Sequence, residues 1–224
     1  MFVCSIDVGI VNLAVVCVEL HDASLDILRI TYVANVNSTV FEHNAINAKV
    51  CSLGHTKTTT DRVTHFVQER RAMFDACTHV LIERQPLVGH TDVEQILFFM
   101  FRHKAVLVSP NAMHNYFKIS KYSYETRKYK TVMLADHFLS VDHFPEYHSL
   151  ERKHDIADAL CLLLFWIHTQ REASKRVPPP IVTPDVTPDV MGEEPSITTE
   201  DPSSSKTFTS LMNTFIFKGR QTNK

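Results

Sequence analysis

Three short apolar runs open the chain. Residues 2–8, 11–20 and 25–35 are rich in Val, Ile, Leu and Cys, and Gly9 and the His21-Asp22 region break them. Runs of that length bounded by turn residues predict an antiparallel three-strand meander. The period then changes. Val63, Phe66, Val67, Arg70, Met73 and Phe74 recur at helical spacing between Thr58 and Cys77, with Thr and Asp at the start, and predict one helix there. Apolar runs at His79–Glu83 and Ala105–Ser109 predict strands four and five. Helical patterns cover 90–103 (Asp92, Ile96, Leu97, Phe99, Met100), a short stretch from Pro110, Glu125–Ser140 and Glu151–Gln170. Three antiparallel strands followed by alternating helix and strand predict an α/β fold with a mixed five-stranded sheet flanked by helices.

After Val177 the texture changes. Pro178-Pro179-Pro180, two Thr-Pro-Asp-Val copies at 183–186 and 187–190, and Ser203-Ser204-Ser205 predict a solvated, flexible linker. Hydrophobicity returns at Phe208, Leu211, Met212, Phe215, Ile216 and Phe217 before a basic end. The expected organisation is therefore one domain over residues 1–175, a linker over 176–207, and a terminal segment over 208–224 that docks on a partner, contacts DNA through its lysines and arginine, or folds back on the core. At 224 residues the chain is long enough for one domain with a sizeable core.

Composition narrows the function only slightly. The formal net charge of −2 does not advertise a nucleic-acid binder, and residues 1–177 hold equal numbers of acids and bases. All thirteen histidines lie in that part, so it becomes distinctly cationic only at mildly acidic pH. The five cysteines are odd in number and form no C-x-x-C pair, and Cys4, Cys17 and Cys161 sit in apolar runs. Buried free thiols in a reducing, intracellular compartment are expected, without a zinc site. The N-terminal run is interrupted by Asp7 and lacks a basic start, so no secretory leader is expected, and no stretch approaches a membrane span.

The chemistry lies in four carboxylates. Asp7 closes the first apolar run and Glu83 closes the fourth, while Asp155 and Asp158 open the last long helix. A spacing of three places the last two on one helix face. Each has an ordinary explanation: a turn acid before Gly9, a partner for Arg84, two acids favouring a helix N-terminus. Their conjunction is more specific. If strands one and four are neighbours and the last helix packs beside them, all four acids meet at one sheet edge. Acids so crowded repel one another unless a cation sits among them, and magnesium prefers such hard oxygen ligands. Two such ions can activate water and stabilise the leaving oxygen of a phosphodiester.

In order along the chain, Asp7-Val8-Gly9-Ile10-Val11-Asn12, Ile82-Glu83-Arg84-Gln85-Pro86 and Asp155-Ile156-Ala157-Asp158 resemble the motifs of RuvC-like Holliday-junction resolvases, within the ribonuclease H-like superfamily. The likeness is to the branch found in poxviruses and related large DNA viruses. Val108-Ser109-Pro110 and the basic stretch Arg127-Lys128-Tyr129-Lys130 are similar to further features of that branch. The likeness covers roughly residues 1–170. It implies a ribonuclease H-like fold and an endonuclease that nicks opposite strands of a four-way DNA junction symmetrically. It also implies a homodimer working where viral DNA replicates in a host cell. Asp7, Glu83, Asp155 and Asp158 would be catalytic ligands for two Mg2+ ions, with Mn2+ able to substitute. One departure is His154, which stands where the viral relatives usually carry the first of two adjacent acids. A helix cap or a neutral surface role is expected for it.

For DNA contact, Lys118, Lys121, Arg127, Lys128 and Lys130 alternate with Tyr116, Phe117, Tyr122, Tyr124 and Tyr129, and Arg152-Lys153 flank the acids. Cations neutralise phosphates and aromatics stack on unpaired bases. A solvated helix edge over core aromatics is the ordinary alternative. Three rival functions share parts of the pattern. Another ribonuclease H-like nuclease would keep fold and metals. An actin-like ATPase would need glycine-rich loops, and only Gly54 and Gly89 remain in the core region after Gly9. A non-catalytic DNA-binding scaffold using its terminal segment would not need all four acids.

Overall fold

The computed structural model describes residues 1–38, 58–87 and 91–176. Strands β1 (Phe2–Asp7), β2 (Leu13–Leu20) and β3 (Ile27–Val36) form the expected meander, antiparallel throughout. Strands β4 (His79–Glu83) and β5 (Ala105–Val108) add in parallel on the other side of β1, so the sheet order is β3-β2-β1-β4-β5. Helix α3 (Thr91–Met100) makes the crossover from β4 to β5. The expected mixed five-stranded sheet with flanking helices is thus present.

Both faces of the sheet are covered, which is why its central strands read as unbroken apolar runs. Successive side chains alternate between two cores. Val3, Ala14, Val16, Val18 and Leu81 face one, and Cys4, Ile6, Val15, Cys17, Val80 and Ile82 face the other. The first core is capped by α7 (Lys153–Arg176), whose stretch from Asp155 to Leu164 is buried without interruption. Such a helix is a central layer and carries apolar residues around its whole circumference. Helix α5 (Tyr124–Phe138) packs on α7. The four cysteines among the described residues, Cys4, Cys17, Cys77 and Cys161, are buried free thiols.

The predicted single helix over 58–77 is two. Helix α1 (Thr59–Glu69) is capped by the Thr58 hydroxyl, which accepts from the Asp61 N–H at 3.3 Å, and α2 (Arg71–Ala76) follows a break at Arg70. Arg70 leaves helical geometry at φ −112°, ψ 20°. Its guanidinium is held by the Tyr32 hydroxyl at 3.1 Å and the Phe66 carbonyl at 3.4 Å. The bend brings the Phe66 and Phe74 rings edge to face at 5.7 Å. Tertiary contacts with β3 override a continuous helical periodicity here.

Helix α4 (Pro110–Tyr116) starts as its sequence demands, with proline in the first turn and the Ser109 hydroxyl accepting from the Ala112 N–H. Its end was not legible. Lys118 takes the left-handed conformation (φ 57°), with the Ile119 N–H donating to the His114 carbonyl and the Lys118 N–H to that of Asn115. This is the paired closing turn that glycine usually supplies. A one-turn helix, α6 (Pro145–Ser149), was not predicted; it seats the buried Tyr147. No described helix is long and apolar enough to cross a membrane. The predicted linker and terminal segment lie outside the described residues, apart from Arg176 at the end of α7.

Candidate active site

Parallel pairing of β1 with β4 decides the site. Ile6 is in register with Ile82, so Asp7 and Glu83, one residue further on, leave the sheet side by side at the same end. Helix α7 packs across β1 and β2 and brings its first turns to that end. Asp7, Glu83, Asp155 and Asp158 consequently line one cleft of about 600 Å3, together with Asn12, Asn111, His114, Tyr124, Arg127, Lys128 and Arg152. The convergence expected from the sequence is present.

Each acid is held differently. Glu83 Oε2 accepts from the Val8 N–H at 3.3 Å and from the Gln85 side-chain amide at 2.6 Å. Among the described residues no ion pair joins Glu83 to Arg84, whose backbone N–H instead extends the ladder to Val108. Asp155 is buried, and its Oδ2 accepts from Arg152 Nε at 3.1 Å and from the Asn35 amide at 3.3 Å. His154 lies 3.3 Å from Asp155 Oδ1 and 3.2 Å from the Arg152 guanidinium, so it belongs to the cleft margin. Asp158 Oδ2 accepts from Lys128 Nζ, while its Oδ1 is buried without a partner.

Burial and crowded charges set the electrostatics. Burial, then the neighbouring Glu83 and Asp158, push the Asp7 carboxyl well above the usual carboxylate range. Burial, the largest single influence, would lower the Lys128 ammonium, but the charge and hydrogen bond of Asp158, with the nearby Asp7 and Tyr124, together outweigh it and the pKa is raised. Burial also lowers the His114 imidazole.

The donor set fits a hard divalent cation in kind: four carboxylates, one with an oxygen that is buried and unsatisfied. Among the described residues, however, no three carboxylate, imidazole or thiol side chains are gathered closely enough to close around an ion in this arrangement. Lys128 and Arg152 hold two of the four acids.

The predicted basic residues divide. Arg127, Lys128 and Arg152 line the cleft. Lys121 and Lys130 flank the Tyr122 ring, at 5.4 and 4.8 Å from its centroid, and Lys153 lies over Tyr147 at 5.7 Å. Lys118 is exposed at the end of α4. Residues without a clear signal in the sequence also serve the site. Buried Glu94 accepts from the Gln85 backbone N–H, and so positions the residue that holds Glu83. It reads as a solvated helix acid, and only its i, i+3 spacing to Leu97 hinted at burial. Asn35 carried no local signal.

Gly9 belongs to the site through its backbone. A Cβ there would stand 2.4 Å from the Asn12 carbonyl oxygen and 3.0 Å from its carbon, both backbone atoms that cannot turn aside. Gly9→Ala is therefore expected to cost about 1–3 kcal/mol. It should displace the turn that follows Asp7. Thermal unfolding several degrees lower, with a larger loss of activity than the stability change explains, checks this.

Residues 1–170 match the protein family described as Poxvirus A22 protein. The chain belongs to this family. The expected kinship with RuvC-like resolvases of the poxvirus type is thereby borne out. This A22-family chain also aligns with the crystal structure of the fowlpox virus Holliday junction resolvase, at 16% identity and a TM-score of 0.52, over 75% of this chain and 99% of that one. A second fowlpox resolvase structure, in complex with substrate Holliday junction DNA, aligns at 16% identity and a TM-score of 0.52, over 76% and 99%. At that identity the alignments speak for the fold. No curated protein is a significant match.

Proposed function

We propose that this A22-family protein is a magnesium-dependent endonuclease that resolves four-way DNA junctions by paired symmetric nicks, acting as a homodimer where viral DNA replicates. One observation carries the reading: four carboxylates from β1, β4 and α7 share a cleft that Arg127, Lys128 and Arg152 also line. Family membership, and the junction DNA bound by the fowlpox relative, support the choice of substrate.

Asp7, Glu83, Asp155 and Asp158 would hold the metal. When bound, the ions supply activation of water and neutralise charge on the phosphodiester. The chain's own residues set up that chemistry. The Val8 N–H and the Gln85 amide orient Glu83, and Asn35 and Arg152 orient Asp155. Arg127 and Arg152, which line the cleft, would bind the phosphates that flank the cut, since a guanidinium matches two phosphate oxygens at once. Exposed Tyr122, Tyr124 and Tyr129 offer faces for unpaired bases at the branch point.

Strand-labelled four-way junction, flap, and RNA–DNA hybrid substrates test this. Symmetric nicks in the junction in magnesium, abolished by chelator and much weaker on the others, are expected. Preferential cutting of the hybrid or flap would assign a different nuclease activity to the same fold.

We assign cleavage to residues 1–175 and recruitment of a replication or recombination partner to 208–224. A chain ending at Val177 is then expected to fold and to cut junctions at the rate of the full chain. An inactive truncated chain would place the terminal residues in the nuclease itself.

A further inference from the structure

Two of the four acids already hold a cation from their own chain. Arg152 reaches Asp155 from the rim, with about half of its side chain exposed (51%). Lys128 is different. It comes from α5, points into the cleft, and pairs with Asp158 of α7 with both side chains largely enclosed (21% and 13% exposed). Asp158 Oδ1, the other oxygen of the same carboxylate, is buried without a partner. The ammonium therefore satisfies only half of this carboxylate.

We propose that Lys128 is an internal counter-ion that occupies Asp158 in the metal-free protein and is displaced from it when a divalent cation loads. This rests on the metal-site reading above. An ammonium and a divalent cation on one carboxylate repel each other, since both carry positive charge within a few ångströms. The repulsion favours departure of the weaker-held cation, and Lys128 can leave. Its four-carbon stem is flexible, and the charge is a point donor without a fixed fork to break. A second resting place is already adjacent: the ammonium lies 5.4 Å from the ring centroid of Tyr124, which is exposed (54%) at the cleft mouth. From there it stands beside Arg127 on the cleft wall, where the proposed function puts a DNA phosphate.

Removing Lys128 would leave the Asp158 charge beside Asp7 and Glu83 with no cation on it, which is costly in an enclosed site. Lys128 thus holds the ligand in place until the metal arrives.

Two measurements on the full chain test the proposal. In isothermal titration with Mg2+ and no DNA, Lys128→Gln should bind the ion about 5- to 20-fold more tightly than the native chain, the range of a moderate coupling between two sites. Asp158→Asn should bind it more weakly. Because Lys128→Gln risks misfolding, the native chain is also probed directly. Acetylation of lysines, read by mass spectrometry, should find Lys128 protected in chelator and several-fold more reactive in Mg2+, with Lys121 as an unchanged reference. Asp158→Asn should leave Lys128 reactive in both conditions. If Mg2+ binds, Asp158→Asn weakens it, and yet Lys128 stays protected and Lys128→Gln gains no affinity, the counter-ion exchange is wrong and the metal site stands. If Mg2+ does not bind the native chain at all, both are overturned.

Discussion

Asp7→Asn and Glu83→Gln are each expected to lower junction cleavage about 1,000-fold or more while leaving the fold intact. The size follows from charge stabilisation of several kcal/mol at about 1.36 kcal/mol per factor of ten. The intact fold follows from position: both acids stand at strand ends over a cleft, so an isosteric amide opens no cavity. Asp7→Asn should even stabilise the metal-free protein at neutral pH. In the native chain, burial and the adjacent carboxylates raise the Asp7 carboxyl above its ordinary value of 3.8. The folded state then binds that proton more tightly than the unfolded state does. Stability therefore declines as pH rises from the ordinary value through the raised one, and stays lower beyond it. An amide has no proton to lose, and so the variant lacks this decline. Thermal unfolding in chelator, from acid to neutral pH, measures both curves. Variants that unfold at neutral pH would show that the acids are structural and would sink the metal-site reading.

The second large effect is on DNA binding. Lys121 and Lys130 bracket Tyr122 outside the acid cleft, so they can be removed without touching Asp158. The double change Lys121→Gln, Lys130→Gln is expected to lower the dependence of log affinity on log salt by nearly two, at about 0.9 for each phosphate no longer neutralised. Between about 50 and 200 mM salt that is roughly a tenfold smaller loss of junction affinity. Binding should weaken on every DNA sequence alike, because phosphates carry no sequence information. Anisotropy titrations of a labelled junction across salt concentrations give the slope. An unchanged slope would place the DNA track on another face, leaving Arg127 and Arg152 as the cleft's own phosphate ligands.

Local signals were strong wherever a residue acts through its near neighbours. Thr58 and Ser109 announce helix starts because their hydroxyls accept from the N–H three residues on. The strand ends at Asp7 and Glu83 were legible because a charge terminates an apolar run. The end of α4 was not, because Lys118 adopts a backbone conformation that its side chain disfavours. The break at Arg70 was hidden for a related reason: its cause is a hydroxyl on β3, 38 residues away in sequence.

The sequence by itself determined which residues are acids, which segments bury both faces, and where most elements begin, since these depend on side-chain chemistry within a turn or two. Tertiary structure alone decided the rest. The β3-β2-β1-β4-β5 order sets Asp7 beside Glu83, because parallel neighbours end on the same side of a sheet. Packing of α7 on that sheet then adds Asp155 and Asp158. Packing of α5 on α7 selects Lys128 from a run of similar cations to pair with Asp158, while Lys130, two residues on, turns to Tyr122. Adjacent residues on a helix point about 100° apart, and only the surface against which the helix packs decides which of them faces the chemistry.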